Sequence, residues 1–590
     1  MQGGSFLRLA LLAIAGFLAY QYFLGGSRGA PQGQPIAREP MVTPSVRQAY
    51  QYCEIGTEHF EAQLTTRGAA LTHFKLRKPK YKKHGEPIDL STTPHPGVAL
   101  GSPRAEDPSA PGLHEFRQQL FSQWRNSTSS APADTAWNVD FDSMDYTLER
   151  QDGKSCEFVY RDAKVELHKT VKATDRPYEL EVTHQIKNLD SVPRAHAMAI
   201  DTVAWHRTVD VEGHMFRVSP YVTHAECVPL SGKAERYLPA DFEPDDFKDT
   251  DRHQVLKPWG WYESRATPDL AALSNAYFTQ GVAHVEGSPP KCQLLVENLF
   301  KDGQAKDPAS GSFYRARLAY PVTTLAPGES ARYVELSYVG PKERSVLALA
   351  GGANHRFLEL IDLGFFSVIA EVLVAFLLKV YGVVPNWGVA IIVLTLTARL
   401  LLFPLSWPGI RNMVRMRELK PEMDALNEKF KDDPQAKGLA QMELWRKHNV
   451  NPLKGCLPQL ASMPVWLALY TTLQTAVELF NIPFLWFPDL SESDPWFVLP
   501  VVIGGTYFLQ QKLMPMQGGD PAQQKMMMYF MPAMFTVFML FLPSGLGVYM
   551  FTNSVLAIVQ QQVVERQVKK TSAKAKAASS RPPVLGKGKV

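Results

Sequence analysis

Arg399 lies inside the otherwise apolar run AIIVLTLTARLLLFPL, residues 390–405. A guanidinium stays protonated at any ordinary pH, so the run carries a permanent cation where lipid disfavours one. On insertion scales an arginine at mid-helix costs about 2.5–3.5 kcal/mol. Other polar groups in apolar surroundings recur at helical spacing. Thr395 is one turn before Arg399 on the same face, Thr471, Gln474 and Glu478 fall at i, i+3 and i+7, and Asn553 and Gln560 are seven apart. Gln459 and Ser462 precede Thr471 in the same apolar stretch. Such groups in hydrocarbon must face one another or water, which predicts a polar concavity among helices. Arg399 then has two readings. It snorkels to headgroups or pairs with Glu478, or it sits in a wet groove and attracts acidic or polar peptide. Methionines supply a second surface: QQKMMMYFMPAMFTVFML holds Met527, Met528, Met531 and Met534 among its six. They fill a core, or they form an adaptable wall that accepts many apolar sequences.

These residues need elements to position them, and the 590-residue chain is long enough for several domains. Residues 387–405, 457–480, 496–509, 526–542 and 546–564 read as five spans. The third has 14 residues, about 21 Å of helix against a hydrocarbon core of about 30 Å, so the bilayer around it should be thinned. Residues 1–25 contain SFLRLALLAIAGFLAYQYFLG, long enough for a further span. Its aromatic end, Tyr20, Tyr22 and Phe23, favours an uncleaved anchor over a cleaved signal peptide. A Pro/Gly-rich tether follows at 26–46.

Charge sets the orientation. Residues 406–456 hold ten lysines and arginines, and the tail at 567–590 is basic, whereas residues 481–495 carry only Asp489, Glu492 and Asp494. The positive-inside rule places the first two in the cytoplasm and the third outside. Both termini are then cytoplasmic, provided that an amphipathic segment at 355–380 lies in the outer interface without crossing. Within the basic segment 406–456, Met416, Leu419, Met423, Leu426 and Phe430 repeat at coiled-coil spacing, and Leu439, Met442 and Trp445 supply a partner. This predicts a cytoplasmic antiparallel hairpin over 411–448, with Pro421 kinking its first helix.

Residues 47–345 have a different character. Period-two patterns such as YELEVTHQI, with Leu180, Val182, His184 and Ile186 on one face, are separated by turn-rich breaks. They predict a large antiparallel β-sandwich outside the membrane. His206 and His214 have no metal-ligand spacing and read as ordinary strand or loop histidines. Cys53, Cys156, Cys227, Cys292 and Cys456 match no zinc motif. A disulfide is open in an oxidising compartment, but no pairing is assignable, and buried small hydrophobes are the preferred reading. No metal site and no GxxxxGK[ST] phosphate loop is present, so no cofactor is expected. The fold class is an α+β membrane protein with an anchor helix, a sandwich, a five-helix core and a cytoplasmic hairpin.

RLLLFPL, NPLKGCLPQLASMPVWLALY, VELF, DPAQQKMMMYFMPAMFTVFMLFLPSGLGVYMFTNSVLAIVQQQ and TTRGAALTHFKL together resemble bacterial members of the YidC/Oxa/Alb family of membrane protein insertases. The resemblance implies a bacterial inner-membrane insertase and chaperone, not an enzyme, whose groove arginine corresponds to Arg399. A polar groove residue of the family's third helix corresponds to Gln459 or Ser462, and the hairpin is implied in client capture. It also implies nascent membrane-protein clients, action alone or with the Sec translocon, and activity as a monomer. The basic tail suits anionic lipid or ribosomal RNA, or is a solvated end. A secondary transporter or channel could use the same cavity, but would want repeated halves. A sugar-processing enzyme would need a carboxylate pair, and none is assigned.

Overall fold

The computed structural model describes residues 51–66, 68–83, 85–90, 118–126, 145–207, 220, 222–238, 258–299, 311–364, 366–430, 433–448, 450, 465, 467–513 and 526–579. The expected anchor, tether, Gln459, Ser462, His214, Cys456 and the last residues of the tail lie outside them. The described residues fall into two units. One is the chain up to Asp362 together with Thr475–Asn481, and the other runs from Leu363 to Gln474 and again from Ile482 onward.

The first unit is built on two large sheets, all of whose pairings are antiparallel. One sheet orders the strands Tyr52–Gly56, Phe60–Thr65, Leu71–Leu76, Gln118–Asn126, Arg194–Arg207, Gly311–Ala319, Lys291–Leu299 and Pro258–Glu263. Thr323–Leu325 also pairs with Arg194–Arg207. The other sheet runs Glu235–Tyr237, His224–Pro229, Pro268–Ser274, Phe278–Glu286, Ser330–Pro341, Glu179–Asn188, Val165–Ala173, Ser155–Arg161 and Thr147–Gln151. Strand alternation dictates the core. Val165, Leu167 and Val171 face inward from one strand, and Leu180, Val182 and Ile186 from its neighbour.

The cysteines are a correction to the sequence reading. Cys53–Cys156 and Cys227–Cys292 are disulfides with Cα separations of 6.2 and 6.0 Å. Each joins a strand of one sheet to a strand of the other. They close loops of 103 and 65 residues, for which the chain-entropy model gives about 4–5 kcal/mol each. Pairing requires particular Cβ positions, and sequence spacing carries no information about partners 103 residues apart.

The inner face also holds polar groups. Lys169, His184 and Glu335 are all buried, and Tyr320 donates to Glu335 at 2.7 Å. Lys169 donates to the Ala69 carbonyl. Burial pushes the Glu335 carboxyl up to about 8 and the Lys169 ammonium down to about 7. The chain leaves the sandwich along buried carboxylates: Glu179 accepts from Gly351 N at 2.7 Å, and Asp269 accepts from Arg356 N at 2.6 Å. Phe357 and Leu360 are fully buried in the sandwich core. The expected interfacial helix therefore starts later than residue 355. It is α1, Ser367–Val383, because the preceding residues are spent on sandwich packing. Val368, Val372 and Val383 are exposed on it, while Ala370, Leu373, Val374 and Leu377 are buried.

The second unit is helical. α2, Trp387–Glu418, is capped by the Asn386 side chain, which accepts from Val389 N at 3.1 Å. Its 32 residues give about 48 Å, more than a hydrocarbon core requires. The expected span and the start of the hairpin are thus one continuous helix. α3, Lys420–Lys429, and α4, Pro434–Lys447, form the hairpin proper. Pro421 sits in the first turn of α3, where a missing N–H costs nothing, and so starts a helix instead of kinking one. Residues 467–475 form α5, and Val498–Leu513 form α6. A π-helical turn, Met526–Phe530, leads into α7, Met531–Met539, and α8 spans Ser544–Ser579. Pro532 has no N–H to close an α turn on Met528, which suits the wider turn. Gly547 lets α8 approach α6: a side chain there would collide with Leu499. Among the described residues Trp387–Pro404 is long and apolar enough to cross a membrane, and Met528–Met539 is a shorter apolar helix.

Candidate functional site

The site is built by α2 and α8 with α6 beside them. Arg399 Nε donates to Asn553 Oδ1 at 2.6 Å, and its NH2 group donates to the Asn553 carbonyl at 3.3 Å. NH1 donates to Gln560 Oε1 at 3.4 Å, and Gln560 Nε2 donates back to the Arg399 carbonyl at 3.3 Å. Asn553 and Gln560 reach one guanidinium because seven residues bring α8 almost through two turns. The phenols of Tyr507 on α6 and Tyr549 on α8 lie within electrostatic range of the arginine. Arg399 is only half-buried. Among the described residues no carboxylate forms an ion pair with it, so its partners satisfy hydrogen-bond geometry and leave the charge uncompensated.

The other candidates separate. Thr395 is buried and donates to the Ile391 carbonyl of its own helix at 2.7 Å, the usual way for a threonine to satisfy itself inside a helix. Thr471 Oγ1 lies 3.0 Å from the Ala468 carbonyl and 3.4 Å from that of Leu363. Gln474 donates to the Tyr470 hydroxyl at 2.8 Å. Glu478 is not on that helix face. α5 ends at residue 475, and Glu478 lies in a 3₁₀ turn of the sandwich unit, where it accepts from Arg344 N at 3.2 Å. Its neighbour Phe480 packs there against Tyr277 and Phe278, with ring centroids 5.3 and 5.7 Å away. The pairing of Arg399 with Glu478 is therefore absent.

The methionine wall is graded. Met528 and Met531 are half-buried and Met534 is exposed; the Met527 side chain lies outside the described set. In the hairpin, Gln441 Nε2 donates to Asn427 Oδ1 at 2.8 Å, and His448 lies 3.2 Å from Glu422. As one chain position rises its partner's falls, so α3 and α4 are antiparallel. Met423 is buried between them, and Phe430 and Trp445 are half-buried. Met416 belongs to α2, and Met442 and Leu439 are exposed. Sequence reasoning missed Tyr507 and Tyr549, since an aromatic hydroxyl in an apolar helix is common at membrane interfaces and no spacing singles it out.

A family model described as the YidC periplasmic domain matches residues 53–376, and one described as 60Kd inner membrane protein matches residues 379–572. Together they define the class: an inner-membrane protein with a β-rich periplasmic domain and a helical C-terminal region. The membrane protein insertase YidC of Anaeromyxobacter sp. (strain K) is 33% identical over 531 residues, covering 86% of this chain and 83% of the relative. That of Burkholderia thailandensis is 31% identical over 531 residues, covering 90% and 86%. The chain belongs to the YidC family of membrane protein insertases. Among solved structures, an active YidC insertase aligns over 94% of this chain and 99% of its own, at 17% identity and a TM-score of 0.34. A putative aldose 1-epimerase from Escherichia coli K12 aligns over 49% and 99%, at 11% identity and a TM-score of 0.30.

Proposed function

We propose that the chain inserts membrane proteins through a hydrophilic groove among α2, α6 and α8 whose cationic centre is Arg399. The observation that carries this reading is the guanidinium held by the neutral amides of Asn553 and Gln560. An unneutralised cation in a low-dielectric site attracts acidic or polar peptide more strongly than it would in water. A client's polar segment enters the groove partway, and its acidic residues are drawn towards Arg399. The apolar client helix then passes the Met528, Met531 and Met534 face into lipid, where burial of apolar surface makes the step favourable. Thinned bilayer around the short helices lowers the remaining barrier. Hydrophobic transfer supplies the free energy, aided for acidic segments by the membrane potential.

In this reading both termini and the α3–α4 hairpin face the cytoplasm, the hairpin meets clients first, and α1 lies in the outer interface with its exposed valines in lipid. Action alone or with the Sec translocon, contact of the basic tail with ribosome or anionic lipid, and function as a monomer belong to the same proposal. The test is insertion of a single-span client by the purified chain in liposomes without ATP. Arg399→Glu should slow clients with acidic tails most. Equal slowing of acidic and neutral tails would remove the electrostatic part of the mechanism, and small-solute flux without insertion would replace the mechanism by a channel.

A further inference from the structure

A second arginine connects the same three helices outside the Arg399 site. Arg417, eighteen residues further along α2, donates to the Leu513 carbonyl at the end of α6, at 2.8 Å, and pairs with Glu565 on α8. Lys569 approaches Glu565 at 2.8 Å from the next turn. Beside them Val414, Val564 and Val568 form a small apolar cluster with Phe403, Trp407 and Ile410 packed against it. The apolar cluster joins α2 to α8 and the Leu513 bond joins α2 to α6, neither of them through Glu565. The pair is open to solvent on its arginine side, with Arg417 29% exposed, whereas Glu565 is buried. An incoming carboxylate can reach the guanidinium from that side and replace Glu565 like for like. A guanidinium anchored by a backbone carbonyl keeps its place while its anionic partner changes.

We propose that Arg417 is a receiving station for client carboxylates: an acidic residue of the incoming segment displaces Glu565 from Arg417 before reaching Arg399. This rests on the insertase reading above. Glu565 acts as a built-in competitor, so a segment without a carboxylate gains nothing from the exchange. Arg417 thereby sets which tails are captured, and Arg399 how fast a captured tail proceeds.

The test uses the full chain in phosphatidylcholine vesicles with and without phosphatidylglycerol, and two single-span clients whose short tails differ only in Asp against Asn. Glu565→Gln removes the competitor, and the acidic-to-neutral rate ratio should rise several-fold. Arg417→Gln should lower that ratio, mainly by raising the client concentration needed for half-maximal rate. In the double variant Arg417→Gln with Glu565→Gln both charges are gone, while an amide at 417 can still donate to the Leu513 carbonyl. The acidic-to-neutral ratio should then fall below that of the wild type, while thermal unfolding shows a folded helical unit. A merely structural tie would keep the wild-type ratio in that variant, and this result overturns the proposal. So does an effect seen only with phosphatidylglycerol, which would assign Arg417 to lipid phosphate. Failure of the wild-type chain to insert either client is a different result: it removes the insertase mechanism, and this proposal falls with it.

Discussion

Each unit holds an arginine, buried in the sandwich and half-buried among the helices, and they treat it in opposite ways. In the sandwich, Arg317 is 2% exposed and is matched by Asp201, with Nε to Oδ1 at 2.6 Å and NH2 to Oδ2 at 2.7 Å. Two parallel charge-assisted bonds give it a carboxylate partner, which Arg315 also approaches at 3.6 Å. In the helical unit, Arg399 donates to amide and carbonyl oxygens. The first arrangement is a closed structural joint. In the proposed reading the second keeps a charge available to a client, at a cost in stability, as a binding site differs from a core.

The largest test of this contrast is on the sandwich side. Removing either disulfide as a Cys→Ala pair, Cys53 with Cys156 or Cys227 with Cys292, should cost about 4–5 kcal/mol in chemical denaturation. A loss below about 1 kcal/mol would show that the sheets need no staple. Next, Asp201→Asn strands the Arg317 charge and should destabilise the sandwich by about 3–5 kcal/mol. Arg399→Gln should leave the helical unit at least as stable as before while slowing insertion of acidic clients. Equal destabilisation by the two variants would erase the distinction between joint and site.

A third test uses pH. His184, His196, His224 and His284 are all held below the ordinary histidine value by burial, His196 down to about 4. The unfolded chain takes up these protons near pH 6.5, and the folded chain resists until lower pH. Stability contributed by neutral histidine is thus present above about pH 6.5 and lost as pH falls towards about 4. With His184 and His196 alone the slope is up to about 2.7 kcal/mol per pH unit. His196→Phe should flatten the sandwich's acid limb, and an unchanged limb refutes the assignment. The smallest effect lies in the hairpin, where Asn427→Ala removes the bond from Gln441 and should cost about 1 kcal/mol. Local hydrogen exchange in α3 and α4 would report it.

Much of the site was legible from residue type alone. A charge in an apolar run is conspicuous, and Asn553 and Gln560, seven apart, had to share a helix face, so the three polar groups that meet were all named from the sequence. Thr395 and Thr471 bond carbonyls of their own helices, Thr471 approaching Leu363 as well, and no sequence pattern distinguishes that from facing a groove. Glu478 was misplaced because apolar periodicity continued past residue 475. The chain there leaves the helix so that Phe480 can pack among Tyr277 and Phe278.

The sequence by itself determined the division into a β unit and a helical unit, the antiparallel sheets, the hairpin and the position of the lone cation. These follow from periodicity and charge, which act over a few residues. Only the tertiary structure decided which cysteines pair, that Asp201 pairs with Arg317, that Tyr507 and Tyr549 lie near Arg399, and that Arg417 meets Glu565 further along the same helices. Those outcomes depend on distances between residues far apart in the chain, and such distances exist only once the helices and sheets have packed.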